Sequence, residues 1–522
     1  MNILFTRIFC IAAMMFGIMP SAHGADTLNV ANSRLYFDNI PIINIWANSS
    51  NPAGLAFLNA SQINLVETGY TFNNKELKSP IEPGITNIFY AITKGYKKIG
   101  KLTFFGSFGY NNEQYRKLFY NNTFIFDINN PYLLGDTIGG RQKKEGFLLK
   151  GSVAYPVTGK ITIGIDADYQ NYVGAKIKDP RNRNDISFLA ITPGLIYNGS
   201  KISVGISGGP IIYNNDISVS VMDESKYNLF QFLGFGYYKS ILNIVDYSNA
   251  YYGKGYQAET QFRYRQDNYS NFLVIKYNSY SEEVRYGNTK RLIDGISDKT
   301  GISFSNYQSF RKNENLHQLN IFLNMMNISG TEVMQHFKNI VAGLYTYDTL
   351  ITDSWIEGKH AVSNYDGTME YLITGYNNDL EKFRMNFGLS AEYQTVYHYP
   401  VQNYGFQKVF NIMVFSGYKR FKTFKSLTFV PGIGLAYRKN LYKGMNYVVT
   451  DKSIPELQKQ DYMARYSDFV RGNASISFMK RANSKFFSEY FLKLDASYTY
   501  APDKVKGPFR NFFFNTSIGL IF

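Results

Sequence analysis

Side chains that could carry acid–base or metal chemistry are sparse in this chain of 522 residues, which has 5 His and 1 Cys. His336, His360 and His398 fall near the ends of predicted strands, where a metal or haem site is conceivable. No His-Glu-x-x-His or comparable ligand spacing occurs, and no glycine-rich phosphate loop precedes a helix. The sequence therefore predicts a non-enzyme, with no catalytic residue, no cofactor and no metal site.

The remaining chemistry lies in charged side chains at alternate positions of apolar stretches. Around residue 165, Ile163 and Ile165 alternate with Asp166 and Asp168. A period of two is typical of a β-strand with one apolar and one polar face. If the apolar faces meet lipid, the charges must face a lumen, because a charge near the bilayer midplane costs about 2 to 4 kcal/mol. The predicted lumen-lining residues are Asp166, Asp168, Glu259, Arg263, Arg265, Arg384, Glu392, Lys493 and Asp495.

The last strand favours a membrane barrel over a soluble sheet. Phe512, Ile518 and Phe522 share an apolar face, whereas Asn515 and Ser517 lie on the other. The terminal phenylalanine resembles the C-terminal signal by which bacterial outer-membrane β-barrels are recognised for insertion. We therefore expect Phe522 to act in assembly, with the barrel-assembly machinery as partner, and its strand to pair with the one from Gln62.

Turn and loop lengths predict the number of strands. Eight short turns alternate with nine mostly longer connections, which is the pattern of outer-membrane barrels. The prediction is an all-β fold, a transmembrane antiparallel up-and-down β-barrel of about 18 strands over residues 62–522. Poor alternation at 283–312 and 360–377 leaves 14 or 16 strands open. An even number places both termini on one side, predicted to be the periplasm.

The N-terminus is typical of a signal peptide over residues 1–24, with Arg7, an apolar run and a small-x-small site before Ala25. No later window approaches 18 uncharged apolar residues, so no transmembrane helix is expected. The formal net charge of +15 comes from scattered Lys and Arg. Scattered cations favour a rim that faces anionic outer-membrane lipid and lipopolysaccharide over a nucleic-acid site.

Residues 25–61 lack sustained alternation and are predicted to form a short hatch inside the barrel. The run Asn51-Pro52-Ala53-Gly54-Leu55 is similar to the N-terminal region of FadL-type outer-membrane transporters and their relatives in Bacteroidota. That resemblance implies a hatch that occupies the lumen; the alternative is a simple turn, since Asn-Pro favours turns. The predicted hatch residues are Trp46, Asn51, Pro52, Gly54 and Leu55.

An aromatic cluster lies in the long connection 222–252, with Phe230, Phe232, Phe235 and Tyr237. An exposed cluster of this kind marks an apolar ligand site or a partner surface. It is equally consistent with a loop that folds inward over the lumen and buries its own aromatics.

Together these features predict a porin-like outer-membrane channel or transporter, gated by the hatch, for a hydrophobic or amphipathic small molecule. The whole mature chain resembles a large Bacteroidota barrel family of poorly defined function. The alternative is a non-transporting barrel that anchors or partners a secretion complex or a surface nutrient-uptake complex, with a surface lipoprotein or a TonB-dependent transporter.

Overall fold

The computed structural model describes residues 34–127, 129–222, 229–241, 247–287, 292–342, 345–377, 380–399, 405–447, 449, 454–484, 486–503 and 507–522. The predicted signal peptide, residues 1–24, lies outside the described residues, as does Cys10. Of the predicted hatch, residues 34–61 are described.

Eighteen antiparallel strands close into one barrel. The first, β1 (Gln62–Lys75), pairs with the second, β2 (Ile85–Ile99), and also with the last, β22 (Phe509–Ile521). This confirms the predicted all-β barrel of about 18 strands and the pairing of the terminal strand with the one from Gln62. The poorly alternating regions 283–312 and 360–377 are strands as well, so 14 and 16 are wrong.

Numbered along the chain, the other wall strands are β3 (Leu102–Leu118), β5 (Gly140–Pro156), β6 (Ile161–Lys176), β7 (Arg181–Asn198), β8 (Ile202–Ser220), β11 (Tyr247–Gln266), β12 (Tyr269–Tyr286), β13 (Leu292–Lys312), β14 (Asn315–Ala342), β15 (Tyr345–Asn377), β16 (Leu380–His398), β17 (Gly405–Arg420), β19 (Leu427–Asn446), β20 (Phe469–Arg481) and β21 (Glu489–Ala501). The short strands are β4 (Leu134–Asp136), β9 (Leu229–Phe232), β10 (Tyr238–Ile241) and β18 (Lys422–Phe424). The helices are α1 (Arg34–Ile43), α2 (Pro455–Tyr466) and two 3-10 turns, Ile45–Asn48 and Pro52–Phe57.

The eight short connections lie at one end of the barrel, the turn end, and the nine others at the opposite, loop end. The chain's described N-terminal segment and its C-terminus both reach the turn end, where the N–H of Phe522 donates to the carbonyl of Asn64 at 2.9 Å. No helix among the described residues is both long and apolar enough to cross a membrane.

The outer face of the wall is apolar and the inner face polar. Ile165, Phe387 and Ile518 are about half exposed on the outside, whereas Asp166 and Ser517 point inward. In β22 the two faces are those that the alternation predicts. A closed barrel with an apolar exterior leaves no unpaired strand edge, which suits a hydrocarbon environment.

Strands β14 and β15 run well beyond the wall. The register of β13 with β14 ends at Glu332, and that of β15 with β16 ends at His360. Above these positions the two strands pair only with each other, through residues 333–356, in what we call the ribbon. The sequence predicts a loop over 337–359; most of it is strand, because a hairpin satisfies its backbone groups through its own ladder.

Candidate functional site in the barrel lumen

The lumen is filled from the turn end by residues 34–61, here called the N-terminal segment. Its helix α1 buries Tyr36, Phe37 and Ile40 against the turn-end wall, in a cluster with Leu65 and Phe491. The 3-10 turn Pro52–Phe57 then packs along the inner face of β5, β6 and β7. The segment that the sequence singles out therefore lies inside the barrel.

Asn51 joins this segment to the wall. Its amide nitrogen Nδ2 donates to the carbonyls of Leu195 and Ile206, both at 3.1 Å, and to Oε1 of Gln261 at 2.9 Å. Its Oδ1 accepts the N–H of Ala53 at 3.1 Å, which caps the 3-10 turn. An aspartate could cap the turn but has no donor for the wall, so the amide is required for both roles.

The other predicted hatch residues shape the same turn. Trp46 is 1% exposed and meets the ring of Phe272 edge-on at 5.2 Å. A Cβ on Gly54 would lie 2.5 Å from Cβ of Trp46, so glycine is needed for this close approach. Pro52 begins the 3-10 turn, and Leu55 lines a cavity beside it.

The segment also makes polar contacts with the wall, beside the apolar contacts of α1 and Trp46. Arg34 pairs with Glu67, and its backbone N–H donates to Glu489 at 2.9 Å. Asn39 bonds both Glu381, at 3.0 Å, and Arg384, at 2.7 Å. Further along, the N–H of Ser50 donates to Glu259 at 3.0 Å. Such contacts can be exchanged for water without stripping apolar surface from the wall.

The nine predicted lumen-lining residues all occupy inward positions but form no single site. Asp166 lies 3.5 Å from Lys150, and Lys493 lies 3.3 Å from Asp495. Glu259 and Arg384 bind the N-terminal segment, and Asp168 lines the cavity of about 460 Å³ beside it. The other inward-facing predictions are Arg263 and Arg265 near the turn end and Glu392 nearer the loop end.

The loop end is closed by three connections that fold inward: residues 119–139, 229–241 and 454–468, here called the loop plug. Strands β4, β9 and β10 form a small sheet in it. Phe230 and Phe232 pack with Leu133 and with Leu457 of α2. Tyr237 is buried and stacks on His398, with ring centroids 4.4 Å apart.

The aromatic cluster therefore lies mainly within the fold. Phe230, Phe232 and Tyr237 are buried, and Phe235 is partly buried and also faces His398. This geometry favours the alternative that the connection folds inward over the lumen and buries its own aromatic side chains. A ligand or partner contact through these four residues stays a prediction.

The histidines separate into two environments. His360 and His398 face each other across β15 and β16 and are buried beneath the loop plug. His336 lies on the ribbon, where its Nδ1 is 2.9 Å from Asp353. In the part of the chain that the structure describes, no group of three or more His, Cys, Asp or Glu is placed to hold a metal ion.

Further polar residues, which the sequence analysis does not single out, lie in the lumen near the loop plug. One cavity, of about 360 Å³, is lined by Tyr213, Tyr280, Glu282 and Lys299. Another, of about 370 Å³, has Arg438 and Arg471 in its wall. Strand alternation assigns these side chains to the inner face, but their grouping depends on the register between strands and on the inward fold of the loops.

The fold and lumen define a closed, internally plugged 18-strand β-barrel. Residues 52–522 match the model described as "Family of unknown function (DUF6850)", and the chain belongs to that family. No curated protein matches the sequence.

Several solved structures are similar to this chain at low identity. They include the transporter YddB from Escherichia coli (7% identity, TM-score 0.41, covering 89% of this chain and 81% of that one). The FrpB iron transporter from Neisseria meningitidis shares 9% identity, with a TM-score of 0.39 and coverage of 89% and 82%. BauA, the ferric preacinetobactin receptor from Acinetobacter baumannii, shares 6% identity, with a TM-score of 0.35 and coverage of 88% of this chain and 80% of that one.

Proposed function

We propose that the chain is an outer-membrane β-barrel transporter or channel for small solutes, with the N-terminal segment as its hatch. The observation that carries the proposal is the polar attachment of residues 34–61 to the inner wall, through Asn51, Ser50 and Asn39. Water can replace these bonds when the segment leaves the wall, whereas exposing the apolar contacts of α1 and Trp46 adds a cost to that movement. The apolar exterior supports the membrane location.

In this proposal the turn end faces the periplasm and the loop end faces outward, so the loop plug forms the outer closure and the hatch the inner one. A solute would reach the cavities of the lumen when one closure moves. The outer wall would contact lipid and lipopolysaccharide, and Phe522 the barrel-assembly machinery. The same proposal includes that a signal peptide directs export, that the chain comes from Bacteroidota and that the hatch is of the FadL type.

The test is the conductance of the purified barrel in planar bilayers. Three forms are compared: the full chain, a chain without 34–61, and a chain that lacks 34–61 and has Gly-Ser linkers in place of the loop-plug residues 119–139, 229–241 and 454–468. We expect low conductance from the full chain and the highest from the double deletion. Barrels that are folded by heat-modifiable gel migration and still do not conduct without both closures would remove the channel proposal.

A matched pair of point variants tests the hatch itself. Asn51→Ala removes the bonds to the wall, whereas Asn48→Ala removes only bonds within the segment, to Pro41 and Ile45. We expect Asn51→Ala to raise the frequency of channel opening well above that of Asn48→Ala. Equal effects would mean that the wall contacts of Asn51 do not hold the closure.

A second candidate is a non-transporting barrel that holds a partner, either a surface lipoprotein or a TonB-dependent transporter. The ribbon supports it, since it extends past the wall and carries the exposed apolar side chains Met334, Trp355 and Ile356. A photo-crosslinking amino acid at Trp355, with Lys312 near the turn end as the control position, tests this in intact cells. A partner linked only from the ribbon favours the candidate; no product from either position counts against it.

A further inference from the structure

The cavity of about 370 Å³ lies in the loop-end half of the barrel, beside α2. Its wall is built from inward positions of strands β15, β16, β19, β20, β21, β22 and β1, and its upper side from the loop plug and the connection between β1 and β2. This volume is within the usual range for small-molecule sites. The wall strands separate it from the lipid, so its ligand must come from the aqueous lumen.

Two guanidinium groups dominate this cavity. Arg438 and Arg471 lie over the ring of Phe469, with Cζ 4.5 Å and 4.9 Å from its centroid. Arg438 stands directly opposite Phe469 in the register of β19 with β20, and Arg471 follows two residues later on the same face. The aromatic ring therefore holds both cations on one side of the cavity.

Both arginines form their hydrogen bonds with neutral oxygen atoms of the protein. Arg438 uses Nε and Nη2 on the carbonyl of Ser467, at 2.9 Å and 2.7 Å. Arg471 uses Nε on the hydroxyl of Thr499, at 2.9 Å. Among the described residues, neither forms an ion pair with a carboxylate. Both nitrogens Nη1 and Nη2 of Arg471, and Nη1 of Arg438, therefore have N–H groups left for a ligand.

The wider lining adds to this positive charge. Lys75 and Arg465 are compensated by Glu82 and Asp461, each at 3.0 Å. Among the described residues, Lys78 donates to the backbone carbonyls of Glu82, at 2.7 Å, and Ser79, at 3.3 Å. With Asp461 included, the site has five cationic and three acidic side chains, a formal surplus of two positive charges. The lining side chains with charge are Lys75, Lys78, Glu82, Glu392, Arg438, Arg465 and Arg471. Like charges held this close in a partly dehydrated lumen repel one another, and a bound anion would relieve that repulsion.

Neutral polar groups complete the site. Asn364 lies in the lining, and its buried Oδ1 has no donor among the described residues. The hydroxyl of Thr499 accepts from Arg471 and retains its own hydrogen for donation. Acceptors and donors of this kind suit alcohol groups more than a bare inorganic ion.

We propose that this cavity binds a small soluble anion that carries a carboxylate or phosphoryl group together with hydroxyls, the class of sugar acids and sugar phosphates. Paired guanidinium groups match the geometry of these oxyanions, and the amide and hydroxyl groups take the alcohols. Only the idea that this anion is also the transported solute rests on the proposed function. Binding itself requires no transport.

The test is calorimetric titration of the full chain in detergent with glucose 6-phosphate, gluconate, glucose and inorganic phosphate. We expect both hydroxylated anions to bind, glucose not to bind, and inorganic phosphate to bind more weakly. Arg471→Gln and Arg438→Gln should each weaken binding at least about tenfold, since each removes charge-assisted bonds. The control is Arg263→Gln, which removes an inward-facing arginine near the turn end, outside this cavity.

The outcomes separate the possibilities. If neither hydroxylated anion binds a barrel that migrates as folded, or if Arg263→Gln weakens binding as much as Arg471→Gln, the site is overturned. Equal binding of glucose would overturn the role of charge, and equal binding of inorganic phosphate the role of the hydroxyls. Should one arginine variant fail to fold, the other variant and the loss of affinity with rising salt still decide. Binding without conductance would keep this site and remove only the transport proposal.

Discussion

At the scale of single residues, the ion pair between Lys176 and Asp136 fixes the loop plug to the wall. The ammonium lies 2.6 Å from the carboxylate, and both side chains are 1% exposed. Asn122 and the N–H of Ile138 also donate to the carboxylate, each at 2.7 Å. We expect Lys176→Met to destabilise the docked loop by about 3–5 kcal/mol, because it leaves a buried carboxylate without its counter-ion.

Hydrogen exchange measures this effect at the amides of Tyr120 and Asn122, which bond to Asp136 and Leu134 across the loop. Arg183→Met is the control, since Arg183 and Asp185 are paired at 3.5 Å but are more than half exposed. Its cost should stay below about 1 kcal/mol. Unchanged protection of these amides in Lys176→Met would contradict the role given to the pair.

A second residue-scale prediction concerns Asp127, a loop residue bonded to Lys299 at 2.6 Å. Burial alone would raise the pKa of this carboxyl, but Lys299 and the N–H of Asn129 outweigh burial and hold the pKa below its usual value. Its stabilising effect is therefore present above the unfolded-state pKa of about 3.9 and is lost as the pH falls through the folded pKa.

We therefore expect Asp127→Asn to destabilise the folded state by about 1 kcal/mol at pH 7, a small value because the pair is about one-third exposed. The cost should be smaller at about pH 2.5, because the wild-type carboxyl takes up a proton as the pH falls through its lowered folded pKa. Thermal gel-shift midpoints of the two proteins at both pH values provide the measurement. A difference that is the same at both pH values would show that the charge does not matter.

At the scale of elements, the closing seam between β22 and β1 depends on Gly519. A Cβ there would lie 2.3 Å from the carbonyl oxygen of Val66 and 2.5 Å from Cζ of Phe491. We expect Gly519→Ala to destabilise the barrel by about 1–3 kcal/mol, because the backbone at the seam must shift. Gly472→Ala is the control, since nothing lies within 4 Å of its Cβ position.

Urea unfolding in lipid vesicles compares the two glycine variants. The control should change stability by about 0.5 kcal/mol or less, and alanine there can even stabilise by restricting the unfolded chain. A seam variant as stable as the control would mean that β22 adjusts its pairing without cost.

The elements also show where sequence reasoning succeeds. Most wall strands have one apolar and one polar face, so the period of two is visible in the sequence and predicts the strands, their inward charges and the final pairing. The sequence indicates a role for Asn51 because the residues around it form a recognisable short run. It does not indicate the cavity lined by Arg438 and Arg471, because Arg438 meets Phe469 only when β19 and β20 pair across the connection 447–468. Likewise, the aromatic cluster near Phe230 is buried by segments far away in sequence, such as Leu133 and Leu457.

At the scale of the whole molecule, the barrel wall, the N-terminal segment, the loop plug and the ribbon are stabilised by different contacts. The wall is a continuous ladder closed by β1 and β22. The N-terminal segment packs inside the wall at the turn end, and the loop plug packs inside the loop end. Among the described residues, the strands of the ribbon form ladder bonds only with each other, and their polar contacts include Gln335 with Thr352 and His336 with Asp353. The base of the ribbon is attached to the barrel, since Val333 is buried and Gln335 accepts hydrogen bonds from Tyr286 and Ile293. Beyond that base, a two-stranded ribbon adds little stability of its own.

We therefore expect that replacing residues 333–356 by a short turn will leave the barrel's thermal gel-shift midpoint unchanged within about 2 °C, the scale of a small change in a large chain. Replacing 454–466, which contains α2, by a linker of the same length should lower it, because Leu457 and Arg465 are buried in the plug. The measurement is heat-modifiable migration of both variants beside the full chain. If loss of the ribbon lowers the midpoint as much as loss of α2 does, the ribbon belongs to the barrel's stable core and is not a free surface for a partner.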